Sequence, residues 1–152
     1  MGWLPEVQVD NKDNFGVHGA IAGISGCIAY AKVYHNYNAA TWAAVSAAFA
    51  IIFLRLNFSV RRDHERLITI ETFTAFMWVG IVGLIAGLIA FITYIVLGAT
   101  HHEHGLKADG YYVVCIWSFK TLIWGVFTLM SARKFRKKYF EAFPGLVQER
   151  VI

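Results

Sequence analysis

Four long apolar stretches, separated by short polar segments, make up most of this chain. A helix needs about 20 mostly apolar residues to cross the hydrocarbon core of a bilayer, and each stretch is close to that length or longer. The pattern therefore predicts an all-α polytopic membrane protein, in which four transmembrane helices form a single domain. The predicted spans are 16–34, 39–58, 73–99 and 111–132, followed by a tail at 133–152.

The first of these stretches is the weakest candidate for a span. It is rich in Gly and Ala, and it holds His18 and Lys32 near its ends, where polar side chains can reach the membrane interface. Small residues let helix backbones approach closely in a membrane, so Gly19 and Gly23 in this stretch and the Gly83–Gly87 pair in the third predict tight helix packing.

The composition excludes several classes of protein. Hydrophobic residues make up 57% of the chain and charged residues only 16%, against about 45–50% and about 25% in globular domains. This balance argues against a soluble enzyme and against a disordered chain. The net charge of +4 does not indicate a nucleic-acid partner, because the basic residues sit between apolar runs. Walker loops, nucleotide fingerprints and hydrolase elbows are absent from the sequence, which favours a protein that is not an enzyme.

Lys and Arg are concentrated on one predicted side of the membrane. The segment between the second and third spans carries Arg61, Arg62 and Arg66. The two remaining loops together contain one basic residue of this kind, Lys107. Cytoplasmic loops are enriched in Lys and Arg. We therefore expect both termini to be cytosolic and the two lightly charged loops to face the exterior or a lumen. The tail adds six more cations, which are Arg133, Lys134, Arg136, Lys137, Lys138 and Arg150.

Lys120 lies near the centre of the fourth span, with Trp117 and Trp124 at helical spacing around it. A lysine at the bilayer centre costs at least about 2.5–3.5 kcal/mol, so it should face protein, water or an anion. The nearest membrane acid is Glu71, at the edge of the third span. Lys120 is therefore either held by carbonyls and hydroxyls or available to an anionic ligand.

Histidines are clustered in the loop after the third span. His101, His102 and His104 lie there with Glu103, and His35 could join them from the other lightly charged loop. Imidazole is a common ligand of Zn, Cu, Fe and Ni. The alternative is that these are simply solvated loop residues.

The start of the tail combines cations with aromatic rings. Arg133 and Lys134 are followed by Phe135 and, one turn later, by Tyr139. Such a cluster can act as a stop-transfer signal that docks on anionic lipid. It can also act as a cytosolic acceptor for an anionic aromatic ligand.

Three motifs in the last third of the chain form a recognisable pattern. Tyr111 and Tyr112 precede a Cys-Ile-Trp-Ser-Phe segment at 115–119, a Ser-Ala-Arg-Lys-Phe segment occupies 131–135, and His102 lies in the loop before them. This pattern resembles the heme-responsive-gene family of small four-span heme transporters with cytosolic termini, which have a histidine in the corresponding outer loop.

The resemblance implies that heme is a transported substrate rather than a permanent cofactor. It implies movement from the exterior or an endolysosomal lumen to the cytosol, through the plasma membrane or an endosomal or lysosomal membrane. Family members often have His or Tyr late in the second span, where this chain has Asn57. Phe135 replaces the tyrosine of the C-terminal motif, and Tyr139 follows one turn later.

Heme chemistry matches these positions. Its iron accepts an axial histidine, for which His102 is the first choice and His101 or His104 the alternatives. The aromatic face of the fourth span suits the ring, and cations suit the propionates. The predicted heme-binding or translocation residues are His101, His102, His104, Tyr111, Tyr112, Trp117, Lys120, Trp124, Asn57, Arg133, Lys134, Phe135 and Tyr139.

Two other functions compete with heme transport. A heme-binding membrane redox subunit would need stable ligands inside the bundle, and the middle of the spans contains no histidine. A four-span scaffold or accessory protein would pair Lys120 with an acid of its partner. In the transport interpretation the partners are heme and the lipid bilayer, with no nucleic acid. Four short helices leave little room around a heme, which favours a homo-oligomer.

Overall fold

The computed structural model describes residues 9–62 and 69–142. In these residues the chain forms helix α1 (Val9–Lys32), helix α2 (Tyr37–Arg62), helix α3 (Ile70–Thr100) and helix α4 (Tyr111–Ala142). The predicted all-α class is therefore confirmed. Arg66 and Arg150, which contribute to the predicted topology, lie outside the described residues.

All four helices are longer than the predicted spans, and the largest extensions are at the start of α1 and the end of α4. Helix α1 begins at Val9 rather than at residue 16, and α4 continues ten residues beyond residue 132, to Ala142. Thirty-two residues at about 1.5 Å per residue extend over about 48 Å, whereas the hydrocarbon core is about 30 Å thick. The basic segment that begins at Arg133 is therefore a helical continuation of α4 past the apolar part.

Among the described residues, three segments are long and apolar enough to cross a membrane. They are Tyr37–Val60, Ile70–Thr100 and Tyr111–Glu141. These agree with the second, third and fourth predicted spans. Helix α1 is not among them, because its glycines, together with the polar His18 and Lys32, lower its mean hydropathy.

The helices pack as two antiparallel hairpins, α1 with α2 and α3 with α4, which meet along α2 and α4. Helices α2 and α4 run parallel, because Ala39 and Ala43 cluster with Val113 while Leu56, further along α2, clusters with Ala132. We call the end that holds residues 33–36 and 101–110 the outer end, and the opposite end the inner end.

Close backbone approach holds each hairpin together. In the first hairpin, a Cβ at Gly23 would lie 2.8 Å from the carbonyl oxygen of Ala43. In the second, a Cβ at Gly125 would lie 2.5 Å from the backbone nitrogen of Leu84. Side chains at these glycines would push the helices apart. The predicted role of small residues in helix packing is thus confirmed at Gly23.

A fully buried seam of small side chains runs the length of α4. Its members recur at intervals of three and four residues, which places them on one face of the helix. The hydroxyls of Ser118 and Thr121 donate to the carbonyls of Val114 and Trp117, at 2.8 and 3.0 Å. The seam consists of Val114, Ser118, Thr121, Gly125, Thr128 and Ala132. Sequence analysis identifies only the aromatic face of this helix and not this second face.

Candidate functional site

Helix α3 ends in a turn that places His102 in a left-handed conformation, with φ 50°. The N–H of His102 donates to the carbonyl of Ala99 at 3.2 Å, and the N–H of Glu103 donates to the carbonyl of Gly98 at 3.1 Å. This pair of bonds defines a Schellman turn, in which the left-handed position is usually glycine. The turn holds the exposed His102 side chain beyond the end of the helix.

Glu103 closes the start of α4. Both of its carboxylate oxygens accept the backbone N–H of Tyr111, at 3.1 and 2.9 Å, and so satisfy one of the unpaired donors of the helix. Gly110 leaves room for the carboxylate, because a Cβ there would lie 2.9 Å from Oε2 of Glu103. Glu103 is therefore a helix cap, and not a free member of the histidine cluster as the sequence suggested.

Asn36 caps the start of α2 and also joins the two outer loops. Its Oδ1 accepts the N–H of Ala39 at 3.0 Å. Its Nδ2 donates to the carbonyls of Ala108 and Gly110, at 3.3 and 3.2 Å. One amide side chain thus fixes the loop before α2 against the loop before α4. Sequence analysis missed this residue, although Asn just before a helix is a known capping signal.

An open pocket of about 260 Å³ lies between these loops. Its walls include Tyr34, His35, Tyr37 and Tyr111, with Asp109 also in the lining. Small-molecule sites usually measure about 300–1,000 Å³. This pocket is therefore too small to enclose a large ligand, but it is wide enough to receive the edge of one.

Aromatic stacking links the histidines to α4. The ring of His101 stacks on Tyr111 with centroids 5.1 Å apart, and Tyr94 stacks on the same tyrosine at 6.4 Å. Tyr112 instead packs against Gly98 of α3. The structure thus brings His101 and Tyr111 together, whereas Tyr112 contributes to the packing of α4 on α3.

The three loop histidines, His101, His102 and His104, are exposed. Within residues 9–62 and 69–142, no three His, Cys, Asp or Glu side chains are grouped so that they could hold a metal ion.

In the first half of α4, Lys120 lies against Trp117. The Nζ atom of Lys120 is 4.3 Å from the centroid of the indole ring, a cation–π contact worth about 0.5–2 kcal/mol depending on solvation. Lys120 is half-buried. The sequence-predicted pairing of this cation with an aromatic face is therefore present in the structure.

Helix α1 covers that aromatic face. Trp117 and Trp124 are only 7% and 4% exposed, and their rings occupy the space that side chains at Gly26 and Gly19 would need. Tyr30 adds an edge-on contact to Trp117 at 6.2 Å. The surface that sequence analysis assigned to a planar ligand is thus filled by α1 in this conformation.

The predicted aromatic residues at the inner end face the protein. Phe135 and Tyr139 pack against the buried cluster of Leu56, Phe73 and Ala132, and the rings of Phe73 and Tyr139 are 6.1 Å apart. These contacts bind the basic end of α4 to the beginning of α3.

Asn57 is buried at the same end of α2 and is 6% exposed. Its side-chain Nδ2 donates to the carbonyl of Phe53 at 2.8 Å. Part of its hydrogen-bonding capacity is therefore used within its own helix.

The cations of the basic segment face the opposite way. Arg133 and Lys134 are exposed, as are Lys137 and Lys138 one turn later. The guanidinium of Arg136 is instead held 3.6 Å from the sulfur of Met77. The segment therefore has an aromatic face turned inward and a basic face turned outward.

Comparison with known proteins places the chain near heme transporters. Residues 74–124 match the family model described as haem-transporter, endosomal/lysosomal, haem-responsive gene. The heme transporter hrg-1 of Caenorhabditis elegans is 25% identical over 132 residues, which cover 84% of this chain and 68% of that protein. Heme transporter hrg-4 of the same organism is 29% identical over 90 residues, or 59% of this chain and 49% of that protein. No solved structure matches the chain.

These similarities confirm the resemblance drawn from the sequence. The segment 74–124 runs from α3 through the outer turn into the first half of α4, so it contains His102, Tyr111 and Lys120 but ends before Arg133. The chain spans about two thirds of the length of the first relative and half of the second. The comparisons favour a transporter over an enzyme.

Proposed function

We propose that this chain, similar to the heme-responsive-gene transporters, carries heme across a membrane from the exterior or an endolysosomal lumen to the cytosol. One observation carries the proposal. The family match falls on the segment that presents the outer histidines and the Lys120–Trp117 pair. Heme is flat and apolar, and it has an iron that accepts axial ligands and two anionic propionates. The histidines suit the iron, Trp117 suits the flat ring and Lys120 suits a propionate.

The outer end captures the heme. His102 is the principal iron contact, because its left-handed turn holds an exposed imidazole beyond the end of α3. His101 and His104 are helpers on the same turn, and Tyr111, stacked on His101, together with Tyr112 begins the path along α4. Exposed ligands favour brief capture over permanent binding.

The middle of the path uses Lys120 as a partner for a propionate. A cation in the membrane that meets an anionic ligand recovers part of its cost of burial. Trp117 and Trp124 offer flat surfaces next to Lys120 once α1 moves aside. Helix α1 packs mainly on α2. It contacts α4 through these two rings and through the Phe15–Phe127 pair, whose centroids are 5.9 Å apart, so its displacement would break a small set of aromatic contacts with α4.

The inner end releases the heme to the cytosol. Arg133 and Lys134 accept the propionates, since both are exposed on the basic face of α4. Phe135 and Tyr139 form the apolar surface behind these cations, and Asn57, buried at the same end of α2, lines the last part of the path. The transported heme is a substrate throughout, and the proposal includes no permanent heme cofactor.

The proposal also includes the topology of the chain and the membrane in which it resides. Helix α1 crosses the membrane as a fourth span, both termini are cytosolic, and the protein resides in the plasma membrane or in an endosomal or lysosomal membrane. The outer pocket of about 260 Å³ is below the usual size of a ligand site. A homo-oligomer within the lipid bilayer would supply additional surface around the heme.

The decisive test is heme uptake by a heme-requiring cell that expresses the chain. We expect growth at lower external heme than with the empty vector, and accumulation of a fluorescent heme analogue. A membrane-inserted protein that changes neither quantity would contradict transport. A heme spectrum that persists through purification and shows reversible reduction would instead favour the redox subunit.

A further inference from the structure

We infer that the pocket between the two outer loops is a second docking site for heme, with His35 as its iron ligand. This inference rests on the proposed function and deepens it. The pocket is lined by Tyr34, His35, Tyr37 and Tyr111. It is separate from the α3 turn that presents His102, because His35 comes from the loop between α1 and α2.

His35 shares the left-handed backbone conformation of His102, although its turn has a different hydrogen-bond pattern. Its φ is 51°, a conformation that is uncommon for residues other than glycine. The turn is fixed by the N–H of Asn36, which donates to the carbonyl of Tyr30 at 2.9 Å. The next residue in each case caps the following helix, Asn36 for α2 and Glu103 for α4. Each hairpin thus presents one exposed imidazole from a strained position beside a helix cap.

The lining of the pocket matches a metal held in a flat aromatic ring. Imidazole and the tyrosine hydroxyl both serve as axial ligands of heme iron, and the tyrosine rings offer surfaces on which a macrocycle can stack. Asp109 and the absence of Lys and Arg from the lining disfavour phosphate and other anionic groups, so the edge of heme that enters is the one without propionates. A free metal ion would need more ligands than the described residues group together.

The dimensions of the pocket indicate brief docking. About 260 Å³ admits one edge of a macrocycle and leaves the rest outside. Asn36 fixes the distance between the two loops through its bonds to Ala108 and Gly110, so the pocket is present before the ligand arrives. His35 and His102, at the same end of the bundle, then offer two successive imidazoles to one incoming heme.

The test replaces His35 with Gly in the full-length protein, purified in detergent and titrated with ferric heme. Glycine suits the left-handed backbone, so His35→Gly removes the imidazole while relieving the strain of the turn. We expect about a tenfold loss of heme affinity, in the range seen when support for a metal ligand is lost, and a loss of the histidine-ligated component of the Soret spectrum. His35→Asn is the second variant, since Asn also tolerates this conformation.

His18→Ala is the matched control, because His18 is an exposed imidazole of α1, is not part of the pocket and has no assigned role in heme binding; its heme affinity should equal that of the parent. Heme affinity and spectrum equal to the parent in both His35 variants would overturn the docking site. Normal cellular uptake with that result would leave transport standing. Conversely, His35-dependent heme binding in a protein that transports none would retain the docking site and reject the proposed function.

Discussion

The indole of Trp117 in α4 occupies the place where a side chain on Gly26 of α1 would begin, 2.5 Å from the position of its Cβ. Trp124 is related to Gly19 in the same way. The two glycines are seven residues apart on α1, and the two tryptophans are seven residues apart on α4. Each indole therefore packs against one glycine, about two helical turns from the other pair. Gly19 and Gly26 of α1 are thus explained by the two largest side chains of α4.

A methyl group at Gly26 should therefore destabilise the bundle. We expect Gly26→Ala to lower the free energy of unfolding by about 1–3 kcal/mol, the usual cost of overpacking a buried contact. Thermal unfolding of the purified protein in detergent would measure this. Ser25→Ala changes the neighbouring exposed residue and should leave the transition almost unchanged. Equal melting temperatures for the two variants would show that Trp117 can move aside freely.

Lys120 should matter for transport more than for folding. Lys120→Met keeps the length of the side chain and removes the charge, so it should lower heme uptake severalfold at matched expression. Folding should change little, because the lost cation–π contact is worth about 0.5–2 kcal/mol and a lysine in the membrane is itself costly. Lys120→Arg is the control that keeps the charge and should retain more activity. Uptake by the Met variant equal to the parent would assign Lys120 a purely structural role.

His102 should set the heme concentration at which uptake is half-maximal. His102→Gly preserves the left-handed turn and removes the imidazole. We expect the half-maximal concentration to rise about tenfold, equivalent to about 1.4 kcal/mol of binding. Replacing His101, His102 and His104 together should raise it further, since neighbours can substitute for one another. A triple variant that reaches the membrane and behaves like the parent would show that these histidines are only solvated.

The basic face of α4 allows a charge-matched comparison. Arg133 and Lys134 changed to Gln should impair heme release, whereas Lys137 and Lys138 changed to Gln remove the same charge one turn later. All four are exposed, and each double variant keeps the remaining cations that orient the helix. Heme uptake should fall in the first variant and stay near the parent value in the second. An equal loss in both would indicate a general charge effect rather than a specific acceptor.

Epitope tags can determine whether α1 crosses the membrane. Tags at the two ends of the chain should both need permeabilisation for antibody access if there are four spans with cytosolic termini. A tag inserted at Gly105, where the turn is open to solvent, should be accessible from outside in a protein at the cell surface. Ends on opposite sides of the membrane would instead mean that only α2, α3 and α4 cross it.

Sequence reasoning succeeded where the hydrophobic pattern alone decides the outcome. It located all four helices, and three of them meet the requirements of a span. It did not reveal that Trp117 and Trp124 are buried against α1. In a membrane both the lipid-facing and the protein-facing sides of a helix are apolar, so the pattern does not tell which side carries a contact.

The details of the outer end lacked a local signal. A helix cap is normally sought immediately before the first helical residue, whereas Glu103 reaches Tyr111 from eight residues away. Left-handed turns are normally recognised by glycine, but His35 and His102 occupy them here. The histidines were identified from their chemistry, while the backbone that presents them became apparent only from the structure.

The two hairpins repeat one plan. Each runs helix, left-handed histidine, capping side chain and returning helix, and the returning helices α2 and α4 lie parallel to each other. This is the layout of a parallel internal repeat, whose halves are related by an axis along the membrane normal, as in several larger carriers. The contacts of α4 with α2, through Val114 and Ala132, are then the joint between two like halves. We expect alternating access to arise from one half rocking against the other about that joint.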